Sequence, residues 1–164
     1  MQKNFIFSDT ETTGLREKDF IQIIQSASIL TDESFERIDA QNIESRPLPW
    51  VVPQPGAYLV HKKISSLDSN TSHYQMMKDI YETWQKWSDD KQSIFITYNG
   101  HQFDEELYRR QFYWNLLPPY ITNTNGNGRS DLYFLIILVS YLYPDFIKFN
   151  KNEYNFPILR GEQI

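Results

Sequence analysis

The sequence predicts an α/β domain: a mixed sheet with helices packed against its faces. Two patterns carry that expectation. Three segments with strand character follow one another through short links near the start, as in an antiparallel meander. After them, segments with helical spacing alternate with a further apolar strand, which calls for crossovers onto the same sheet. The chain has 164 residues, 40% of them hydrophobic and 16% aromatic, which suits a single domain, residues 1–164, with a substantial core.

Taken in order, Phe5-Ile6-Phe7 reads as a short buried strand that runs into Ser-Asp-Thr-Glu-Thr-Thr-Gly, with Gly14 at the exit turn. Residues 20–30 place Ile21, Ile23, Ala27 and Ile29 at mostly alternate positions, a half-buried strand. Residues 35–44 form a weaker third strand around Phe35, Ile38 and Ile43. Residues 46–56 hold four prolines, Pro47, Pro49, Pro53 and Pro55. Proline cannot donate to a strand ladder, so this stretch reads as an extended, stiff loop.

From Ser72, a good helix cap, Met76, Met77, Ile80, Trp84 and Trp87 recur at helical spacing. Residues 93–98 form another apolar strand closed by Asn99-Gly100, and a helix is expected over residues 103–115. Residues 123–128, Asn-Thr-Asn-Gly-Asn-Gly, read as a loop. Residues 131–143 are almost wholly apolar, so they predict a deeply buried helix, capped by Asp131 and stopped by Pro144.

The net charge of −5 argues against a surface coated for general nucleic-acid binding. It is compatible with an acidic site that holds cations. The absence of cysteine excludes disulfides and cysteine-based zinc sites and fits a cytoplasmic setting. Carboxylates stand too early for a signal peptide, and the longest apolar run, residues 132–142, is too short to cross a bilayer. No membrane role is therefore expected.

Asp9 and Glu11 stand two apart at the end of the first strand, so strand alternation points both carboxylates to one face. Beside a buried apolar run their repulsion is costly, and a hard cation such as Mg²⁺ or Mn²⁺ relieves it. Asp104 opens a helix after the fourth strand. If the two strands are neighbours, Asp104 can approach Asp9, and three carboxylates could then hold two cations ~4 Å apart for phosphodiester displacement. Ordinary turn residues would explain Asp9 and Glu11 as well, and a helix-start charge would explain Asp104, as it does Glu105 and Glu106.

The string Phe7-Ser8-Asp9-Thr10-Glu11-Thr12-Thr13-Gly14 resembles the first motif of the DEDD (DnaQ-like) exonucleases. The segment from Tyr98 through Asn99, Gly100, His101, Gln102 and Phe103 to Asp104 resembles their second. The order that follows, through Arg109 and Tyr120 to Asp131, is similar to the exonuclease I family in particular, as is the proline-rich loop at residues 53–57.

This resemblance implies a ribonuclease H-like fold with a mixed five-stranded sheet. It also implies removal of nucleotides from 3′ ends of single-stranded DNA by two-metal catalysis with Mg²⁺, in DNA repair. Asp9, Glu11 and Asp104 would be three of four metal-binding acids. Substrate contacts would fall to Glu11, Thr13, Gly14, Phe103, Arg109, Tyr120 and Arg160.

The family's third motif, a general-base histidine and a fourth aspartate, follows the segment that resembles residues 156–164. The sequence has no histidine after His101. The last part of the domain is therefore expected to be missing, and residues 1–164 alone are expected to be nearly inactive. Any contact with a single-strand-binding protein would belong to domains absent here. An exoribonuclease of the same superfamily and a catalytically dead single-strand-binding module are the alternatives.

Overall fold

The computed structural model describes residues 3–14, 20–89 and 92–146. The elements are β1 (Asn4–Thr12), β2 (Ile23–Thr31), β3 (Arg37–Glu44), α1 (Pro55–His61), α2 (His73–Ser88), β4 (Ser93–Thr97), α3 (Asp104–Trp114), β5 (Gly128–Asp131) and α4 (Leu132–Leu142). They form one five-stranded sheet in the order β3-β2-β1-β4-β5. The first three strands are the expected antiparallel meander, and β4 and β5 add in parallel beside β1. Among the described residues, no helix is long and apolar enough to cross a membrane.

Register decides which side chains meet. Ile6 pairs with Leu30 and with Phe95, and all three are core residues. On β1, Ile6, Ser8 and Thr10 therefore share the core face, while Phe5, Phe7, Asp9 and Glu11 share the other. Helices α2 and α3 cover the core face with Met76, Met77, Ile80, Trp84, Leu107 and Phe112. Trp84 is the hub: its ring lies 5.2, 4.7 and 5.9 Å from those of Phe95, Tyr108 and Phe112. Its indole N–H donates to Ser28 Oγ at 3.0 Å, and the Tyr108 hydroxyl lies 2.6 Å from Ser26 Oγ. Each polar tip is thus satisfied inside the core, as burial requires.

Two buried glutamines join irregular backbone to this frame. Gln111 Oε1 accepts from the Ile23 N–H at 3.0 Å, where β2 begins. Gln22 accepts from the Leu48 N–H at 2.7 Å and donates to the Arg46 carbonyl at 3.0 Å, pinning the proline-rich loop. As expected, Ser72 caps α2, its hydroxyl accepting from the Gln75 N–H at 3.1 Å.

The structure departs from the sequence reading in four places. Strand β1 is longer than the apolar run predicts and continues to Thr12, so Asp9 and Glu11, expected at its end, lie within it; pairing with β2 as far as Thr12 carries these polar residues along. The proline-rich segment ends in a helix, α1, because Pro55 stands in its first turn, where its fixed φ and missing N–H cost nothing. Residues 128–131, partly read as loop, form β5 through pairing with β4.

Helix α4 departs most. It was expected to be deeply buried, yet none of its residues is buried, and Phe134, Leu135, Leu138 and Tyr141 are exposed. It follows the edge strand of the sheet, and the described elements do not cover it.

Candidate active site

The site forms where β1, the turn after β4 and the start of α3 converge. Asp9 and Glu11 stand opposite Ala27 and Gln25 of β2. Asp9 is exposed at the surface, but protein crowds its carboxylate; that desolvation raises its pKa, and the Thr10 N–H offsets part of the rise. Glu11 is raised first by burial and further by the charge of Asp9, while His61 and Lys63 pull it down. Between them, on the opposite face, the Thr10 hydroxyl donates to Asp104 Oδ1.

Thr13 and Gly14, assigned to substrate by resemblance, are buried in the turn that follows. The Thr13 N–H donates to the Gln22 carbonyl at 2.9 Å, its hydroxyl oxygen accepts from the Gln22 N–H at 3.0 Å, and its carbonyl accepts from the Gln54 N–H at 2.7 Å. The Gln54 side chain packs directly on Gly14: a Cβ there would lie 2.4 Å from Gln54 Cδ, so a larger residue would displace that side chain.

The second segment turns sharply after Thr97. Asn99 takes a left-handed backbone with φ 54°. Gly100 is buried, and a Cβ there would lie 2.6 Å from Thr97 Cβ and 2.9 Å from Asp104 Oδ2. Phe103 precedes α3 and packs against the core. Asp104, the first residue of α3, is 8% exposed.

Burial, above all, and the charges of Asp9 and Asp131 push the Asp104 carboxyl up to about 6 from an ordinary 3.8, against the pull of the Thr10 hydroxyl. Asp9 is thus electrostatically coupled to both other acids. The coupling is pairwise: among the described residues no three His, Cys, Asp or Glu side chains form a group that could hold a metal. Nor do the described residues place a Lys, Arg or His in an ion pair with any of the three acids. In charge and donor type they fit a hard divalent cation, which would have to draw the two pairs together around Asp9.

The raised pKa of Asp104 links its proton to stability. The folded, metal-free chain holds this proton more tightly than the unfolded chain does, so its contribution to stability is present below about pH 4 and is lost as pH rises through about 6. A cation competes for the same oxygens, so Mn²⁺ affinity is expected to fall as pH drops below about 6. Calorimetric titrations at about pH 5 and pH 7 check this; equal affinities would contradict it.

Arg109 and Tyr120, predicted to touch the strand, come together: the guanidinium lies 5.8 Å from the centre of the Tyr120 ring. Arg109 is also paired with Glu106, which takes Arg110 Nε at 2.8 Å as well. A cavity of about 210 Å³ opens here, lined by His101, Glu105, Arg109, Tyr120, Thr122 and Arg129 among others. Arg160 lies outside the described residues.

Sequence reasoning missed two neighbours of the acids. Glu105, read as a helix-start charge, pairs with Arg129 of β5 and accepts from the Thr122 hydroxyl at 3.1 Å; nothing in the spacing signals those contacts. His61 folds back so that Nε2 donates to the Thr12 carbonyl at 3.2 Å while Nδ1 accepts from the Lys63 N–H at 3.0 Å.

The sheet order and mixed strand directions, with acids on β1 and at the start of α3, are those of a ribonuclease H-like α/β domain. Within that class, the chain is similar to exodeoxyribonuclease I over almost its whole length. It is 32% identical over 154 residues to exodeoxyribonuclease I of Buchnera aphidicola subsp. Acyrthosiphon pisum, covering 92% of this chain and 36% of that protein. Against the Escherichia coli K12 protein it is 28% identical over 169 residues, covering 99% of this chain and 34% of the relative. The structure of E. coli exonuclease I in complex with a dT13 oligonucleotide matches with a TM-score of 0.85 and 26% identity, over 98% of this chain and 34% of that one. No protein-family model matches. The chain spans about a third of the length of the curated relatives it matches.

Proposed function

We propose that residues 1–164 are the front part of the exonuclease domain of a 3′→5′ exodeoxyribonuclease. It would act on single-stranded DNA with Mg²⁺, or Mn²⁺ in its place, in DNA repair and recombination. The observation that carries this reading is the contact of Asp104 with Thr10, which sets the second acidic segment against Asp9 in a fold that superposes on exonuclease I.

When bound, the cations supply Lewis-acid charge for the attacking water and the departing 3′ oxygen. Asp9, whose charge reaches both other acids, would hold the cations together with Glu11 and Asp104. The Thr10 hydroxyl fixes the Asp104 carboxylate and favours its charged form. Arg109 exchanges Glu106 for a backbone phosphate, and Tyr120, half exposed, offers a ring for a base. A contact with a single-strand-binding protein, as in the solved ExoI/SSB-Ct complex, would fall to segments beyond the matched third.

Proton removal lacks a group in this reading. His61 has both nitrogens engaged, His73 is buried in the core, and His101 faces Glu105 at 3.8 Å. A positioned general base is worth ~10²–10⁴ in rate. Residues 1–164 alone are therefore expected to degrade 3′-labelled single-stranded DNA at least ~10² more slowly than a chimera that adds the third-motif segment of the E. coli relative. An inert chimera would turn the reading toward a binding module. Matched DNA and RNA oligomers distinguish the exoribonuclease alternative, since the 2′-hydroxyl separates the two substrates.

A further inference from the structure

We propose that Asp131 is the positioning residue for Asp104, holding through its two carboxylate oxygens the turn that delivers that acid to the site. The inference rests on reading Asp104 as a metal ligand. Asp131 is 5% exposed and ends β5, opposite Thr97 at the last rung of β4. Its Oδ1 accepts from the Asn99 N–H at 2.7 Å and the Tyr133 N–H at 3.0 Å, and its Oδ2 accepts from the His101 N–H at 3.1 Å.

The Tyr133 bond is the helix cap that the sequence predicts. The other two bonds do different work. They grip the backbone on both sides of Gly100, in a turn that Asn99 enters with left-handed φ. The Gly100 carbonyl in turn accepts from the N–H groups of Phe103 at 3.1 Å and Glu105 at 3.0 Å, the two residues flanking Asp104. An unbroken chain of hydrogen bonds therefore runs from Asp131, through the turn, to the first turn of α3. Gly100 has no side chain to hold itself, and a Cβ there would press on Asp104, so the anchor has to come from outside the turn. The Asn99 and His101 N–H groups each take a different oxygen of Asp131, and a carboxylate supplies both acceptors.

A cap needs only one oxygen. Serine caps a helix about as well as aspartate, so Asp131→Ser separates the two roles. In the 164-residue chain labelled with ¹⁵N, Asp131→Ser is expected to speed amide exchange at Phe103 and Glu105 by ~10-fold or more while α2 keeps its protection. Mn²⁺ affinity is expected to fall by ~10–100-fold, the size of effect seen when a ligand's supporting partner is lost.

Wild-type exchange at Phe103 and Glu105 together with wild-type Mn²⁺ affinity in Asp131→Ser would leave only the cap and overturn the proposal. If the wild-type chain binds no Mn²⁺, the nuclease reading fails, and the exchange rates still decide whether Asp131 orders the turn. Asp131→Asn, which keeps volume and cap but points an amide at one N–H, repeats the test if the serine variant unfolds. Global loss of α2 protection in both variants would show a general structural role and refute the local one.

Discussion

Asp9→Ala is expected to lower the Mn²⁺ affinity of the chain by ~10² or more, beyond the ~10–100-fold cost of removing a mere supporting partner. Asp9 is the acid whose charge reaches both of the others, raising Glu11 on its own strand and Asp104 across the sheet. Removing it takes away the charge that acts on both remaining carboxylates. Burial holds the Asp9 carboxyl up, so this anion is unfavourable in the metal-free fold, and its removal should leave the metal-free melting temperature unchanged or raised. Loss of binding without loss of stability marks a residue kept for its ligand. Calorimetric Mn²⁺ titration with a parallel thermal melt tests both halves. The control is Glu82→Ala, at a surface ion pair with Lys78, where little change is expected. Undiminished Mn²⁺ affinity in Asp9→Ala would remove the site.

Trp84→Ala is expected to cost ~3–5 kcal/mol, the usual range for deleting a buried tryptophan. Three aromatic rings pack on Trp84, and Ser28 would lose its indole donor inside the core. Set against a typical total of ~5–15 kcal/mol, that takes a large share of the domain's stability. Trp84→Phe, which keeps an aromatic ring and loses the N–H, should cost clearly less. Urea unfolding monitored by circular dichroism measures both; a loss under ~1 kcal/mol for the alanine variant would show that the core is not centred there. The effect should reach the site as well, because Trp84 packs against Tyr108 and Phe112 of α3, the helix that begins with Asp104.

Much of this was legible along the chain. The spacing of Met76, Ile80, Trp84 and Trp87 predicts α2 and its buried face, because one face of a helix repeats with its own turn. Ser72 and Asp131 announce the caps they form, because capping is local chemistry. The two acidic motifs name the three carboxylates, and strand alternation alone sets Asp9 and Glu11 on a common face. What local patterns could not carry is contact between distant segments. Gly128-Arg129-Ser130-Asp131 has little strand character of its own and becomes β5 through β4 beside it.

Apolar content likewise records how favourable burial would be, not whether a neighbour is at hand; the apolar run predicts a deeply buried α4, and the described elements leave it exposed. The sequence by itself determined the meander and the core face of α2, since those depend on periodicities of a few residues. Tertiary structure alone decided that Asp104 meets Thr10 across 94 positions, that Glu105 binds Arg129, and that Asp131 grips the turn before α3. Each of those contacts exists only because β1, β4 and β5 pair side by side, and strand pairing joins residues whose separation along the chain leaves no periodic trace.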